Sequence, residues 1–327
     1  AAGTAAGTAA GTAAGAAGAA AEAAEAALRA DWWTLYRDAE LDRLVAAARE
    51  RNPDLELALA QVLEAEAVLR EARATLFPRL DLGAQGSRSR ITALGAQPVP
   101  AGVPLVRNDF RVAASTAYEI DLWGGVRRGT EAARAQLLAT HHVKDAVALS
   151  VSGATAQAYF LLRSLDAQLQ VTRETVGLRD ESLDMVRRRA RGGIASGLEV
   201  DQAVGARADA GAQLEELARQ RALVERLLGE LTGQPGLRLP AGDLRTLPLP
   251  PVPPPGLPAS RRGRRPDVRG AEESVVAANA RIGVARAAMM PGISLTGLFG
   301  GQSAELSALL SSGARIWSLG LGLTLPI

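Results

Sequence analysis

Arg51-Asn52-Pro53-Asp54 opens a helical stretch that closes at Leu76-Phe77-Pro78-Arg79-Leu80-Asp81-Leu82. Arg264-Arg265-Pro266-Asp267 opens another that closes at Met289-Met290-Pro291-Gly292-Ile293-Ser294-Leu295. Residues 51–82 and 264–295 register at a constant offset of 213 without a gap, with twelve identities in thirty-two positions. Solenoid repeats run about 20–50 residues, so this spacing marks a duplicated half-protein. The second copy should therefore repeat the elements of the first.

Working outward, Asp38 is expected to cap a short helix with Leu41, Leu44, Val45 and Ala48 on one face. Asn52-Pro53 breaks it, and Asp54 is expected to cap a second helix that ends before Pro78. The pattern then changes to period two. Phe110, Val112, Ala114, Thr116, Tyr118, Ile120 and Leu122 alternate with Arg111, Ala113, Ser115, Ala117, Glu119 and Asp121. One face is apolar and the other carries small or charged groups, as in a half-wet strand. Leu80 to Arg90 is a weaker strand with Asp81, Gln85 and Ser87 on its polar face. In the second copy Ile293, Leu295, Gly297 and Phe299 alternate with Ser294 and Thr296. Trp317, Leu319, Leu321, Leu323, Leu325 and Ile327 alternate with Ser318, Gly320, Gly322 and Thr324. Strands of about 10–13 residues are long enough to cross a bilayer at a tilt. The pattern alone fits a transmembrane β-barrel or an antiparallel sheet packed on a soluble helical domain.

Between the strand pairs, Gly124 to Arg191 contains no proline. Val147, Val151, Ala154, Ala158, Leu161 and Leu165 alternate steps of four and three, a coiled-coil seam. Such a helix is about 100 Å long. Gly192 to Gly197 turns the chain, and a return helix follows with Leu214, Leu217, Val224, Leu228 and Leu231 on its seam. The return helix is the shorter, so it and the 54–76 helix together should pair the long one. Residues 234–258, with Pro253-Pro254-Pro255, read as an irregular connector.

Composition narrows the function classes. Aromatics are 3%, charged residues 22%, and the net charge is +2. Long Ala-rich helices fit this better than a compact aromatic core, and no basic stripe interleaved with aromatics points to nucleic acid. There is no cysteine, which excludes disulfides and thiolate chemistry. No run of 18 apolar residues suggests a membrane-spanning helix. Residues 1–27 are an Ala/Gly/Thr repeat expected to be a flexible leader, which Trp32-Trp33 would anchor. No constellation suits catalysis, cofactor or metal binding. His141 and His142 are adjacent on a helix and diverge by about 100°, which suits a solvated face better than chelation.

Several motifs in order resemble a known family. They are Trp32-Trp33, Asn52-Pro53-Asp54, Ala74-Thr75-Leu76-Phe77-Pro78, Tyr118-Glu119-Ile120-Asp121-Leu122-Trp123-Gly124, Gly193-Ile194-Ala195-Ser196-Gly197-Leu198-Glu199-Val200 and Arg264-Arg265-Pro266-Asp267. Over residues 31–327 the chain resembles the TolC-like outer-membrane efflux proteins, most closely the NodT-type lipoproteins that serve RND pumps. The resemblance implies an α+β membrane protein: a long α-helical coiled-coil barrel plus a transmembrane antiparallel β-barrel, four strands per protomer, formed as a trimer. It implies a passive outer-membrane channel with a long periplasmic extension, homotrimeric, with a periplasmic adaptor, an inner-membrane RND pump and outer-membrane lipids as partners. A lipid anchor on a Cys upstream of this chain is the one modification implied.

The corresponding organisation is a leader over 1–30, N-terminal helices over 31–78, a strand pair over 79–122 and a helical hairpin over 123–233. A Pro-rich connector over 234–263, a helix over 264–290 and a second strand pair over 291–327 follow. The second hairpin is absent, so a C-terminally truncated member is expected. Arg261-Arg262 and Met289-Met290 stand where members usually carry apolar residues and a Phe pair. The implied adaptor-docking tip is Arg191, Gly192, Gly193, Ile194, Ala195, Ser196 and Gly197; equally, the glycines simply reverse a coiled coil. Arg187, Arg188, Arg189 and Arg191 either solvate that end or meet an acidic adaptor surface. Arg111, Ser115, Glu119 and Asp121 are the expected channel-facing positions, the last two alternatively interfacial charges. Phe110, Val112, Tyr118, Ile120, Trp317, Leu319, Leu321 and Leu323 are the expected lipid-facing positions. Trp123 and Trp317 suit aromatic girdles or a barrel–helix junction. The competing reading is a soluble coiled-coil scaffold or adaptor-like hairpin protein. The duplication disfavours it.

Overall fold

The computed structural model describes residues 31–92, 100, 102–249, 263 and 265–326. The 1–30 leader, Pro253-Pro254-Pro255, Arg261-Arg262 and Arg264 lie outside the described residues.

After a 3-10 turn at Trp32–Tyr36 come helices α1 (Ala39–Arg51) and α2 (Pro53–Ala74), then strands β1 (Arg79–Arg90) and β2 (Val106–Glu119). The long helix α3 (Gly125–Arg191) and the return helix α4 (Gly197–Leu231) follow. Helix α5 (Pro266–Ala287) and strands β3 (Gly292–Ser303) and β4 (Arg315–Thr324) complete the chain. Helix α5 and strand β3 begin and end 213 residues after α2 and β1, so the duplication extends to the element boundaries. The turns between them are the same as well. Leu76 and Phe77 donate to the Arg73 and Ala74 carbonyls, and Met289 and Met290 donate to those of Arg286 and Ala287.

Packing divides the chain into two compact units. One takes the described residues up to Ala60 and His142–Val268, the other Gln61–His141 and the chain from Arg269 onward. In the first unit the apolar stripe of α1 is fully buried: Leu41, Leu44, Val45 and Ala48. They pack with Trp33, Ala156, Ala158, Tyr159, Leu162, Leu228, Leu237 and Leu239. Each large aliphatic side chain so buried contributes about 1.5–3 kcal/mol. Asp38 caps α1 as expected, accepting from the amides of Glu40 and Leu41. Its second oxygen accepts the Tyr159 hydroxyl at 2.5 Å. Burial and that bond push the Tyr159 phenol up to about 12.

Two details differ from the sequence reading. The cap of α2 is Asn52, whose Oδ1 accepts the Asp54 amide while its Nδ2 donates to the Leu231 carbonyl. Pro53 is the first helical residue, where a missing N–H costs nothing. The seam of α3 is also displaced at every second position. The buried series is Val151, Thr155, Ala158, Leu162, Leu165, Leu169 and Thr172, while Ala154 and Leu161 are exposed. Thr155 hides in the seam because its hydroxyl bonds the Val151 carbonyl one turn back. The α4 positions Leu214, Leu217, Val224, Leu228 and Leu231 do face inward.

A buried ionic cluster joins α3, α4 and the connector. Asp166 accepts from Arg221 Nε at 2.6 Å, Arg163 Nη1 at 3.2 Å and the Gly242 amide at 3.1 Å. Arg163 also donates to the Pro240 carbonyl and Arg221 to the Leu239 carbonyl. Glu225 accepts the Leu239 amide and meets Arg221 and Arg238. The segment around Leu239 thus satisfies its backbone groups on helix side chains instead of a sheet.

The second unit carries a four-stranded antiparallel sheet in the order β1-β2-β3-β4. β2 starts earlier than the alternation suggested and ends at Glu119. The N-terminal turns of α3 lie against α2 and α5: Thr130 donates to the Ala72 carbonyl, and a Cβ on Gly125 would sit 3.1 Å from the Ala287 methyl. Within one unit α3 packs on α4 through Leu165, Leu169 and Leu217, and within the other its first turns meet the end of α2 at the Thr130–Ala72 bond.

Candidate functional site

The register decides what the sheet presents. Directly opposed residues in antiparallel strands project to the same face. Leu82 opposes Ala114, Ala114 opposes Phe299, and Phe299 opposes Trp317. The same face carries Leu80, Phe110, Val112, Tyr118, Leu295, Leu319, Leu321 and Leu323. Ile120, one step past β2, stays in register through its amide bond to the Ile293 carbonyl. All eight positions expected to face lipid thus fall on one continuous apolar surface. Leu80, Leu82, Phe299, Trp317 and the β4 leucines are exposed on it.

The opposite face is polar. Asp81 opposes Ser115, Gln85 opposes Arg111, and Glu119 opposes Ser294. Thr296, Ser318 and Thr324 share this side. Arg111, Ser115 and Glu119 therefore share this face. Asp121 does not. It lies beyond β2, and its carboxylate accepts the Val126 and Arg127 amides at 3.1 and 2.9 Å and pairs with the Arg127 guanidinium. Burial opposes its charge, but those amides and that guanidinium outweigh it and hold the carboxyl below its usual range. The reading of Asp121 as a channel-lining side chain is corrected. Its job is to start α3, where the helix dipole favours an anion. Trp123 belongs to the same junction, donating its indole N–H to the Pro291 carbonyl at 2.7 Å. Trp317 sits on the apolar face instead. A 490 Å³ cleft opens at this junction, lined by Glu119, Asp121, Trp123, Val284, Met290 and Thr324 among others.

The hairpin tip is built by two local motifs. Gly193 has φ +77, the Ile194 amide donates to the Arg189 carbonyl and the Gly193 amide to that of Ala190. This is the Schellman arrangement, which favours glycine at the left-handed position. Ser196 then opens α4 with a capping box: it accepts the Glu199 amide, and Glu199 accepts the Ser196 amide. These bonds hold the Glu199 carboxyl below its usual range. The reversal exposes Ile194 and Leu198, at 72% and 67%, beside exposed Arg187, Arg188, Arg189 and Arg191. Among the described residues no group of acidic and histidine side chains is arranged for a metal. His141 and His142 are both partly exposed on α3.

Comparison with known proteins agrees with this architecture. Residues 44–234 and 257–327 match the outer membrane efflux protein family. The solvent efflux pump outer membrane protein SrpC of Pseudomonas putida is 37% identical over 296 residues, 89% of this chain and 62% of its own. Outer membrane protein OprJ of Pseudomonas aeruginosa is 36% identical over 304 residues, 91% of this chain and 62% of its own. Among solved structures, the Campylobacter jejuni CmeC outer membrane channel superposes with a TM-score of 0.83 at 28% identity, covering 91% of this chain and 64% of that one. A membrane protein from Pseudomonas aeruginosa gives 0.83 at 35% identity, covering 91% and 69%. The fold is that of the outer-membrane efflux channels, mostly helical with a small antiparallel sheet. The chain belongs to the outer membrane efflux protein family, whose related members here are channel proteins of pumps. It is an outer-membrane protein with a long periplasmic helical extension. It spans about three-fifths of the length of the curated relatives it matches.

Proposed function

We propose that the protein is the passive outer-membrane channel of a tripartite efflux pump, passing drugs or other small molecules from periplasm to exterior. The observation that carries this reading is the two-faced sheet: one side apolar across four strands, the other polar, with β1 and β4 as open edges. Hydrocarbon does not tolerate unpaired strand edges, so the sheet must close through other copies. Two copies would give eight strands, a barrel just filled by its own side chains; three give twelve and leave a lumen. A homotrimer is therefore the smallest conducting assembly. Arg111, Ser115 and Glu119 line the lumen, and the eight apolar positions face lipid.

The hairpin end from Arg191 to Gly197 is the surface for a periplasmic adaptor, which links the channel to an inner-membrane RND pump. Ile194 and Leu198 offer the apolar contact and the arginines the charge. The polar lining holds small, permissive groups, so choice among cargoes rests with the pump; relatives are named for solvent and toluene efflux. The test is expression in a Gram-negative host. The protein should fractionate with the outer membrane and run as a heat-modifiable trimer on unheated gels. Recovery as a soluble monomer would overturn the proposal.

A further inference from the structure

Among the described residues of the sheet, the charges on the apolar face have one sign. The strand acids Asp81, Asp109 and Glu119 all register on the polar face. Arg88, Arg90 and Arg315 register on the apolar face, with Leu80 and Leu82 in β1 and with Trp317 and Leu319 in β4. All three are exposed. All three also stand at the same end of the sheet, the end of the β1–β2 and β3–β4 connections.

Their height is measurable from the strand. Leu80 to Arg90 is ten steps, about 33 Å along the strand, or about 25 Å along the membrane normal at the usual tilt. Leu323 to Arg315 gives about 20 Å by the same reckoning. A lipid-facing apolar band is about 25 Å tall, and a lipid-facing arginine is costly at its midplane but nearly neutral at its edge. The arginines therefore sit where hydrocarbon gives way to headgroups. The helices leave from the other end of the strands, so this edge is the outer leaflet's.

We propose that Arg88, Arg90 and Arg315 form a phosphate-binding clamp for anionic lipid headgroups of the outer leaflet. This rests on the trimeric channel reading in one respect. β1 and β4 are the edges of the sheet, so closure sets β4 of one copy beside β1 of the next. Arg315 then stands at the same end of each junction between copies as Arg88 and Arg90 of the neighbouring copy, so closure gathers three guanidiniums at that end. Guanidinium forks match phosphate oxygens in bidentate geometry. The apolar band directly below takes the acyl chains. The occupant is accordingly a phosphorylated lipid and not a free anion.

The test uses the protein extracted from outer membranes in detergent. Binding of a hexa-acylated diglucosamine bisphosphate is measured for the native protein, for Arg88→Gln/Arg90→Gln/Arg315→Gln and for Arg107→Gln/Arg111→Gln on the opposite face. The triple variant should bind at least tenfold more weakly and the opposite-face variant within twofold of native. The dephosphorylated glycolipid should bind native protein as weakly as the bisphosphate binds the triple variant. Millimolar inorganic phosphate should displace little. Equal binding by native and triple variant, equal loss in both variants, or full displacement by inorganic phosphate would each overturn the clamp. Should the triple variant not assemble, Arg88→Gln and Arg315→Gln singly are expected to lose about threefold, and no loss in either overturns it. Failure of the native protein to form a trimer would count against the channel reading instead, a separate and directly visible outcome.

Discussion

Replacing Asp166 by alanine should be among the most damaging single changes in the helical unit, although the residue touches nothing in the sheet or the tip. Its side chain is 2% exposed and neutralises two guanidiniums, Arg163 at 8% and Arg221 at 19% exposed. Removing one partner of a buried ion pair typically costs about 3–5 kcal/mol, because the survivors remain desolvated. Here the lower end is expected. Arg221 can swing toward solvent, and Arg163 keeps the Pro240 carbonyl at 2.7 Å. The Gly242 amide loses its acceptor as well, so the connector should loosen first. Denaturant unfolding followed by helical circular dichroism gives the cost, and hydrogen exchange at Gly242 and Leu239 locates it. A loss of about 3 kcal/mol corresponds to exchange faster by about a hundredfold. Asp180→Ala is the internal control. Its pair with Arg207 also bridges α3 and α4 at 2.8 Å, but both side chains are about half exposed, and such pairs contribute about 1 kcal/mol at most. Equal effects from Asp166→Ala and Asp180→Ala would refute the reasoning.

Three other outcomes are expected. Leu321→Arg buries a guanidinium in the apolar face at about 2–4 kcal/mol and should abolish gel-stable assembly, whereas Ser318→Arg on the polar face should not; identical behaviour would contradict the face assignment. Gly300→Val would bring a Cβ to 2.2 Å from the Val112 oxygen and 2.5 Å from the Ala113 Cα, so the β2–β3 pairing must open, while Gly83→Val meets nothing within 4 Å; protease resistance of the sheet should fall for the first alone. Tyr159 keeps its proton in the native state to about pH 12 but loses it near 10 when unfolded. Its stabilisation is thus full below pH 10 and lost as pH rises from 10 toward 12. Tyr159→Phe should remove that dependence and cost about 1.5–3 kcal/mol at neutral pH, and melting curves of both proteins from pH 8 to 12 decide it.

Most of the fold was legible because it is carried by periodicity. The offset of 213 named both copies of the helix–strand unit, and the alternation from Phe110 onward assigned both faces of the sheet. The residues that escaped are those whose role depends on a distant partner. Thr155 looks polar, yet its hydroxyl is spent on its own helix and its methyl fills the seam. Arg163 and Asp166 look like an ordinary i,i+3 surface pair, since Arg221 and Gly242 are far along the chain. Asp121 continued the alternation of β2, and only the helix that follows immediately shows that its carboxylate was taken. The tip could be read locally, because glycine followed by Ser-x-x-Glu encodes both of its motifs.

Strand β4 sets Trp317, Leu319, Leu321 and Leu323 on one side against Ser318, Gly320, Gly322 and Thr324 on the other. A Cβ on Gly320 or Gly322 would lie 2.9 Å from Thr296 Oγ1 or 2.8 Å from Ser294 Oγ. The hydroxyls of β3 therefore occupy volume that β4 leaves vacant. When a sheet rolls, side chains crowd on the concave side and splay apart on the convex one. A strand with bulk on one side and almost none on the other is already shaped to roll toward its hydroxyls. The direction of bending is thus written in side-chain volume, separately from polarity, so a substitution that preserved every polar group while adding bulk beneath Thr296 would flatten the strand.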